Sequence, residues 1–594
     1  MGIDGIGSCI DDTQDVLTDW LAESLSPSSK DSWMGWAVRP LFAPVYMIGS
    51  FYLGLGQLCV ALFRLIGSVF EETASAKEDF SVVGKDASQW EKIDVDNQLY
   101  DNSPLKDLPS FGFGVAGAAY QRDPEYFKDH AQWYTHAPPS KDPAKPLPEW
   151  HREIETHEGR QALLARLQKL KVNTYRMSVA LPVSMKQGGD YDEKKISQIV
   201  ATCKLLRDNE IRIEVTLHHF AEPNYFFDAG SFHNQQNVHE FVLFAKKVIP
   251  ILTQDHKGEP LVQCIYTFNE IGVDGDFSRK VRGAFPPFHL LRFREAFEAA
   301  GNMLAAHNKI YTSLKGKISE KVKIGMTHQV LRLVPVHPLL YPITYVLEKI
   351  ANGIFIDYFR TGVFACRIPF IMNEKHTVGP YKGDVLGIQV YTRAQIGITG
   401  SVPQQGFLDW IVDLGRRIFG LPRPNMTKMP FWEDPYAIYD AILDVRQAFH
   451  DAQRKMECKV TEFGISTDDS EQRARYMRRS VHSVGKAICE AVRRIVRDPR
   501  ALEMYMSSEK YTKENYTFKE RLEIIGPQIL SGILVWTLDT SWEWDDPKNV
   551  QSFGIGTPEG NPKEGIVDYI AFTGKCIDHA KRLESKEQKD SKEK

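Results

Sequence analysis

The sequence predicts an α/β protein built as a (β/α)8 TIM barrel, and two observations lead to that prediction. Eight short apolar runs recur between residues 111 and 540, and each run ends in polar side chains. The stretches between them repeat apolar residues three and four positions apart, which is the spacing of helices that bury one face. Strands that alternate with helices favour a parallel sheet, and eight such units close a barrel.

We interpret the eight apolar runs as the barrel strands. In chain order they are 111–121, 173–179, 211–219, 262–270, 322–329, 384–392, 458–464 and 529–540. Helical spacing is clearest in the intervening stretches 196–209, 238–254, 293–314 and 473–496. Reactive side chains of such barrels lie at the carboxyl ends of the strands, so the polar residues that end these runs are candidate site residues.

An apolar segment precedes the predicted barrel. Residues 41–63 are 23 consecutive uncharged residues between Arg39 and Arg64, long enough for a membrane-anchor helix. A buried helical hairpin that breaks near Pro44 and Gly54 is the alternative. The expected organisation is an N-terminal region with the anchor over 1–70, a linker over 71–105, the barrel over 106–580 and a charged tail over 581–594.

Charge and cysteine usage exclude several classes of protein. The 594 residues carry 73 Lys and Arg against 77 Asp and Glu, so no basic field favours nucleic acid. The eight cysteines lack the paired spacing of a disulfide framework or a zinc site. We therefore expect reduced thiols, no metal centre and no cofactor.

Two glutamates end predicted strands in positions that suit acid and base chemistry. Glu270 ends the fourth run and Glu462 lies near the end of the seventh, so a closed barrel brings both carboxylates to one end. Cleavage of a glycosidic bond needs one carboxylic acid to protonate the leaving oxygen and one carboxylate to attack the anomeric carbon. If no further motif supported a catalytic role, the simpler interpretation of Glu270 and Glu462 would be ion-paired or solvated side chains.

Further motifs in barrel order resemble those of the family one glycoside hydrolases, the β-glucosidase and β-galactosidase group, over roughly residues 105–580. TFNE at 267–270 and TEFG at 461–464 resemble the acid/base and nucleophile motifs. The resemblance implies that Glu270 is the acid/base, that Glu462 is the nucleophile and that Asn269 binds the sugar 2-hydroxyl.

The same resemblance assigns the remaining candidate residues. Arg176 and Tyr391 match residues beside the nucleophile, and Tyr391 also counts among the substrate-binding positions. Other sugar-binding positions are matched by Gln121, His219, Trp536, Glu543 and Trp544. A cation at Arg176 and a phenolic donor at Tyr391 would favour the ionised form of Glu462. Glu270 has to be protonated, which needs apolar surroundings or the negative charge of its partner.

Four residues depart from the family pattern, and all four make the surroundings of the motifs more apolar. They are Phe220, Ala221, Ile271 and Phe463. Together with the anchor, these departures resemble the galactolipid:galactolipid galactosyltransferase branch of the family, from the chloroplast outer envelope membrane. That resemblance implies transfer of a β-galactosyl group between monogalactosyldiacylglycerol molecules in a bilayer, giving oligogalactolipids and diacylglycerol during freezing stress. A β-glycosidase that hydrolyses a soluble glycoside is the alternative, and a non-catalytic sugar-binding barrel is the second.

Apolar segments after the strands suggest a surface that meets lipid. Residues 407–420 have the spacing of an interfacial helix with two arginines, and an ordinary helix packed on the barrel is the competing interpretation. Residues 285–291 and 333–347 are also unusually apolar for strand-end loops.

Overall fold

The structure is a computed structural model. It describes residues 100, 102–108, 110–136, 149–272, 292–335, 341–368, 372–376, 378–396, 433–506, 516–544, 546–557 and 561–593. The predicted anchor at 41–63 and the segments 285–291 and 407–420 lie outside these residues. Across the ranges that are described, no helix combines the length and the apolar character needed to cross a bilayer.

Eight parallel strands form a closed barrel, which confirms the predicted fold class. The strands are β1 (Gly112–Ala116), β2 (Thr174–Ser178), β3 (Arg212–His218), β4 (Cys264–Phe268), β5 (Lys323–Gln329), β6 (Val385–Gln389), β7 (Glu457–Phe463) and β8 (Leu530–Trp536). Each lies within or overlaps one predicted run. Strands adjacent in sequence are also adjacent in the barrel, and β1 closes the circle against β8.

A principal helix follows every strand and packs on the outside of the barrel. These helices are α1 (His157–Lys169), α2 (Glu193–Asp208), α3 (Gln235–Leu252), α4 (Phe293–Leu314), α5 (Ile354–Thr361), α6 (Ala437–Asp451), α7 (Ser470–Arg497) and α8 (Val567–Glu593). α8 includes most of the residues that we predicted as a charged tail. Side-chain caps fix where several helices begin: Asp192 accepts from the backbone of Lys195 at 3.0 Å, and Asp469 accepts from Glu471 at 2.9 Å.

Shorter elements fill the connections. The helical ones are Pro104–Asp107, Ala119–Arg122, Pro124–Phe127, Gln132–His136, Trp150–Glu155, Leu181–Ser184, Asn224–Asp228, Ser231–His233, Tyr341–Glu348, Lys349–Gly353, Pro499–Tyr505 and Phe518–Ile529. Two-stranded sheets pair Met185–Lys186 with Asp190–Tyr191, Asp255–His256 with Glu259–Pro260, Leu333–Pro335 with Ala394–Ile396, and Ser541–Glu543 with Asp546–Gln551. Phe364–Ile368 pairs with Met372–His376, and Ala365–Lys375 belongs to a different compact unit from the barrel.

The barrel interior is packed with side chains below the candidate site. Glu214 on β3 accepts a 3.1 Å hydrogen bond from the hydroxyl of Tyr266 and pairs with Lys459 on β7. Gly387 on β6 leaves room for the interior threonines, because a Cβ there would come within 2.6 Å of Thr327. The carboxyl ends of the strands above this layer form the barrel mouth, where the candidate site lies.

Candidate active site

Every sequence-predicted site residue lies at the barrel mouth. Arg176 lies in the middle of β2, and the others lie near or beyond the carboxyl end of a barrel strand, where this fold places reactive side chains. In chain order they are Gln121 after β1, Arg176 on β2, His219 after β3, Asn269 and Glu270 after β4, Tyr391 after β6, Glu462 on β7, Trp536 on β8, and Glu543 and Trp544 in the loop that follows β8. Strand order therefore brings residues that are more than 400 positions apart into one site.

Three donors, one from β2 and two from the end of β6, hold the buried carboxylate of Glu462. Arg176 donates from Nη1 to Oε1 at 2.6 Å, and the hydroxyl of Tyr391 donates to Oε2 at 2.6 Å. Gln389 also donates from Nε2 to Oε1. Both oxygens are therefore fixed in position, which orients the carboxylate for attack on one atom.

Burial and the neighbouring donors act in opposite directions on the pKa of Glu462. Burial is the largest cause and raises this pKa, whereas the charge of Arg176 and the hydrogen bond from Tyr391 lower it. The effect of the two donors on this pKa has the predicted sign, and the larger effect of burial arises only in the folded barrel. The pKa of Glu462 is raised overall, and without these donors burial would raise it more.

Tyr391 shows that three carboxylates meet at the mouth. Burial raises the pKa of its phenol well above the usual value, and Glu462, Glu270 and Glu543 raise that pKa further. The phenol therefore stays neutral and keeps its proton for donation to Glu462.

Arg176 donates hydrogen bonds both to Glu462 and to Asn269, the residue before Glu270. Its Nη2 donates to Oδ1 of Asn269 at 2.5 Å, and its Nε donates to the hydroxyl of Thr216 at 3.0 Å. Beneath it, the guanidinium carbon lies 5.3 Å from the ring centroid of Tyr266. Arg176 is buried, so these partners satisfy a cation that water does not reach.

The carboxamide of Asn269 is oriented by its donors. Oδ1 accepts from Arg176, from Nε2 of Gln389 at 2.7 Å and from the hydroxyl of Thr327 at 3.1 Å. A guanidinium can only donate, so the atom that faces Arg176 has to be the oxygen. Nδ2 is buried without a hydrogen-bond partner, which leaves a donor available for a ligand oxygen.

Gln389 is a site residue that the sequence reasoning missed. It is fully buried, and its Nε2 donates to both Asn269 and Glu462. Its Oε1 lies 2.9 Å from the hydroxyl of Thr327, whose single proton it shares with Oδ1 of Asn269. The available signal was its position two residues before Tyr391 at the end of a predicted strand, where alternation places both side chains on one face.

Glu270 lies in an unusual backbone position at the end of β4. Its φ is +41°, in a region that side chains rarely adopt, and its side chain is buried. Its backbone N–H donates to the hydroxyl of Thr327 at 3.2 Å. Thr327 therefore fixes the backbone of the acid/base candidate and the amides beside the nucleophile candidate.

A second polar group lies across the seam between β1 and β8. Glu543 accepts from Nε2 of Gln121 at 3.0 Å and from the indole N–H of Trp536 at 2.9 Å. Oε1 of Gln121 is buried and has no hydrogen-bond partner. Like Asn269, Gln121 thus presents a polar atom that only a ligand or water can satisfy.

The aromatic candidates form one cluster. His219 stacks on Trp536 with centroids 5.7 Å apart, and Trp544 stacks on Tyr120 at 5.4 Å. Trp133 packs on Trp544 at 4.4 Å. Burial, with a further contribution from Arg176, lowers the pKa of His219 well below its usual value, so its ring is neutral. Trp544 is thus anchored within this cluster, and sugar binding by the cluster remains a prediction.

The four departures from the family pattern are buried rather than exposed. The side chains of Phe220, Ala221, Ile271 and Phe463 all lie in the interior. The carbonyl of Phe220 accepts from Nε2 of Gln132 at 3.2 Å. These residues therefore make the interior around the site more apolar and do not add apolar surface to the outside.

The fold and the site define a (β/α)8 barrel with two glutamates at its mouth, the arrangement of a glycosidase. A model of glycosyl hydrolase family 1 matches residues 107–495. The chain belongs to this family. In the described part of the chain, no group of His, Cys, Asp and Glu side chains could hold a metal ion.

Curated relatives are bacterial glycosidases. A 6-phospho-beta-galactosidase of Streptococcus equi subsp. zooepidemicus strain MGCS10565 is 26% identical over 412 residues, which cover 62% of this chain and 81% of that protein. One from Leptotrichia buccalis is 29% identical over 238 residues, covering 37% of this chain and 45% of that protein.

Solved structures of the family share the fold. The family 1 β-glucosidase of Thermotoga maritima has a TM-score of 0.59 at 18% identity and covers 80% of this chain and 99% of its own. The β-glycosidase of Pyrococcus horikoshii has a TM-score of 0.57 at 19% identity, with 79% and 94% covered. At these identities the likeness shows the fold alone.

Proposed function

We propose that the barrel cleaves β-glycosides with retention of configuration, using Glu462 as the nucleophile and Glu270 as the acid/base. The observation that carries this proposal is the set of three donors, Arg176, Gln389 and Tyr391, that orient the carboxylate of Glu462. A general base that activates water needs no such fixed orientation of both oxygens, whereas a carboxylate that attacks one carbon does.

The proposed reaction has two steps. In the first, an oxygen of Glu462 forms a bond to the anomeric carbon while the bond to the leaving oxygen breaks, and that oxygen takes the proton of Glu270. In the second, water or another hydroxyl attacks the anomeric carbon, its proton passes to Glu270, and the bond to Glu462 breaks. Two inversions at one carbon give net retention.

Unpartnered buried atoms support binding of a sugar in the same mouth. Nδ2 of Asn269 offers a donor, and Oε1 of Gln121 offers an acceptor. A buried polar atom without a partner costs free energy, so a ligand whose hydroxyls satisfy these atoms would bind favourably. Galactose and glucose differ at one hydroxyl, and both are substrate candidates.

The test is the stereochemistry of hydrolysis by the full-length protein. We expect proton NMR of p-nitrophenyl β-D-galactoside or β-D-glucoside cleavage to show the β-hemiacetal first, before mutarotation. An α-hemiacetal as first product would contradict the role of Glu462. Absence of cleavage of both compounds and of galactolipid would contradict the glycosidase proposal.

We further propose that the physiological reaction is galactosyl transfer between galactolipids at the chloroplast outer envelope membrane. This proposal is supported by the resemblance of the motif departures and the anchor segment to the plant Sensitive to Freezing galactosyltransferase. The curated relatives are 6-phospho-beta-galactosidases, which favour the simpler hydrolysis of a soluble glycoside. One structural observation favours lipid: Tyr345 and Leu347, on the helix Tyr341–Glu348 after β5, are 46% and 38% exposed.

Lipid analysis distinguishes the two functions. The full-length protein is incubated with vesicles of monogalactosyldiacylglycerol, and the lipids are separated afterwards. If the protein transfers galactose between galactolipids, oligogalactolipids should form, and one diacylglycerol should be released for each galactosyl group transferred. Cleavage of an aryl glycoside with no change in the vesicle lipids would identify the protein as a β-glycosidase of soluble substrates.

A further inference from the structure

Gln329 is the last residue of β5, and the candidate site described above gives it no role. Its side chain is only 8% exposed, and its Oε1 is buried with no hydrogen-bond partner. Most buried carboxamides make such bonds, because an unsatisfied oxygen costs free energy in the interior. The atom is therefore a candidate for contact with a ligand.

The register of the sheet places Gln329 at the mouth. Gln329 pairs with Gln389 of β6, whose side chain contacts Glu462 inside the barrel. Residues paired across parallel strands project to the same face, so Gln329 also projects inward. The preceding residue, His328, packs against Phe355 of α5 on the outside of the barrel. This is the alternation expected along a strand, in which neighbouring side chains point to opposite faces.

Gln329 lies on the acid/base side of the site. Thr327, two residues earlier on the same face of β5, accepts the backbone N–H of Glu270 at 3.2 Å. A step of two residues along a strand is about 7 Å, so Gln329 lies one layer closer to the open end than this contact. In the proposed reaction Glu270 protonates the leaving oxygen. The leaving group therefore lies next to Glu270 on the open side, which is the layer that contains Gln329.

Hydrogen bonds fix the backbone around Gln329. The N–H of Val330 donates to the carbonyl of Gln389 at 2.9 Å. The next residue, Leu331, donates its N–H to Oδ1 of Asn352 at 3.1 Å and accepts from Nδ2 of the same side chain at 2.5 Å. A ligand that bonds to Gln329 thus meets a positioned group, which lowers the entropy cost of binding.

We propose that Gln329 binds a hydroxyl of the leaving group or of the acceptor, and so forms part of a subsite for a polyhydroxy molecule. This role rests on the retaining mechanism proposed above. In the second step, an acceptor hydroxyl held beside Glu270 gives its proton to that carboxylate. Its oxygen bonds to the anomeric carbon as the bond to Glu462 breaks. Water gains nothing from the subsite, so occupancy favours transfer over hydrolysis.

The test compares transfer with hydrolysis in Gln329→Met. Methionine keeps the length of the side chain and removes its hydrogen bonds. The full-length protein is given whichever of the two aryl glycosides the wild type cleaves, with methyl β-D-galactopyranoside as acceptor, and the ratio of disaccharide to free sugar is measured. Gln198→Met on α2 is the matched control, because Oε1 of Gln198 is also buried without a partner but lies outside the barrel.

We expect the transfer-to-hydrolysis ratio to fall about two- to tenfold in Gln329→Met, the worth of one neutral hydrogen bond, and to stay unchanged in Gln198→Met. Release of nitrophenol should change less, because that leaving group carries no hydroxyl. The melting temperature should not fall, because no protein hydrogen bond of Oε1 is lost.

Three results would overturn the proposal. An unchanged ratio in Gln329→Met would show that Gln329 does not bind the acceptor, while the wild-type cleavage would still support the retaining mechanism. Equal losses of nitrophenol release and transfer, or a large fall in melting temperature, would show a structural role instead. A wild type that cleaves neither of the two glycosides nor galactolipid would overturn this proposal together with the proposed mechanism.

Discussion

Glu462 and Asn269 share two of their hydrogen-bond donors. Arg176 donates to both side chains from separate nitrogens, at 2.6 and 2.5 Å, and Nε2 of Gln389 also donates to both. The carboxylate of the proposed nucleophile and the amide beside the proposed acid/base are therefore parts of one hydrogen-bonded unit. A displacement of either group would disturb the other.

Removing the two carboxylates should separate their roles. We expect Glu462→Ala to lower kcat for an aryl glycoside by about 10⁴-fold or more, because no covalent intermediate can form. Glu270→Ala should retain the first step on a good leaving group, and azide should partly restore turnover because it needs no general base. Steady-state rates with and without azide measure this. Normal galactolipid transfer by Glu270→Ala would show that its assigned role is wrong.

The acid limb of the pH profile should depend on Arg176. Glu462 has to be ionised to attack, and the positive charge of Arg176 lowers a pKa that burial raises. Without that charge the pKa of Glu462 rises, so the acid limb of kcat/KM in Arg176→Gln should move to higher pH by about one unit or more. Arg176→Lys keeps the charge and is the matched control, with a smaller shift. Identical pH profiles for both variants and the wild type would contradict the electrostatic role.

Gln389→Leu should lower kcat more than it changes KM. The variant leaves Glu462 and Asn269 without their shared amide donor, and misorientation of a nucleophile affects the transition state more than the bound substrate. We expect a loss of about 10- to 100-fold in kcat. The Gln198→Met control should match the wild type, and a selective rise in KM would instead identify Gln389 as a sugar-binding residue.

Stability should depend on a buried cluster of four charges near the seam. Arg122 pairs with Glu153 at 2.8 Å and with Asp539 at 2.7 Å, and Arg166 pairs with Asp539 at 2.8 Å. Removing one partner leaves buried charge unpaired, so Asp539→Ala should lower the free energy of unfolding by about 3–5 kcal/mol.

The exposed pair of Arg152 and Glu149 is the control for this experiment. Glu149→Gln should cost about 1 kcal/mol or less, because water and salt screen surface pairs. Urea denaturation of the three proteins measures the difference. Similar midpoints for Asp539→Ala and Glu149→Gln would show that the buried cluster adds little.

The lipid proposal predicts a selective defect when the apolar side chains after β5 become charged. Tyr345→Glu with Leu347→Glu should reduce transfer between galactolipids in vesicles and spare cleavage of the aryl glycoside. Leu583→Glu is the control, since it is also an exposed apolar residue but lies far along α8. Unchanged lipid transfer in the double variant would remove this helix from membrane contact.

The strand pattern could be predicted from the sequence, whereas the contacts between strands could not. Each apolar run ends at a strand end or up to five residues beyond it, because burial and hydrogen bonding change together in that region. Glu270 and Glu462 could therefore be found as carboxylates near strand ends. The contacts of Thr327 and Gln329 depend on register between neighbouring strands, which no local pattern specifies, whereas the alternation of Gln389 with Tyr391 is a local signal. The direction of the pKa shift of Glu462 could not be predicted from the sequence either, because it depends on how deeply the whole barrel buries that side chain.

The pairing of β1 with β8 has a consequence for how the protein is made. Gly112 lies opposite Gly532, so the ring of strands cannot close until nearly the whole chain has left the ribosome. Gln121 meets Glu543 only at that moment, so the candidate site stays incomplete while most of the barrel strands have already been synthesised. Contacts this distant in sequence also slow folding. A chain that stopped before β8 would keep both glutamates and still have an open sheet edge where the seam should be.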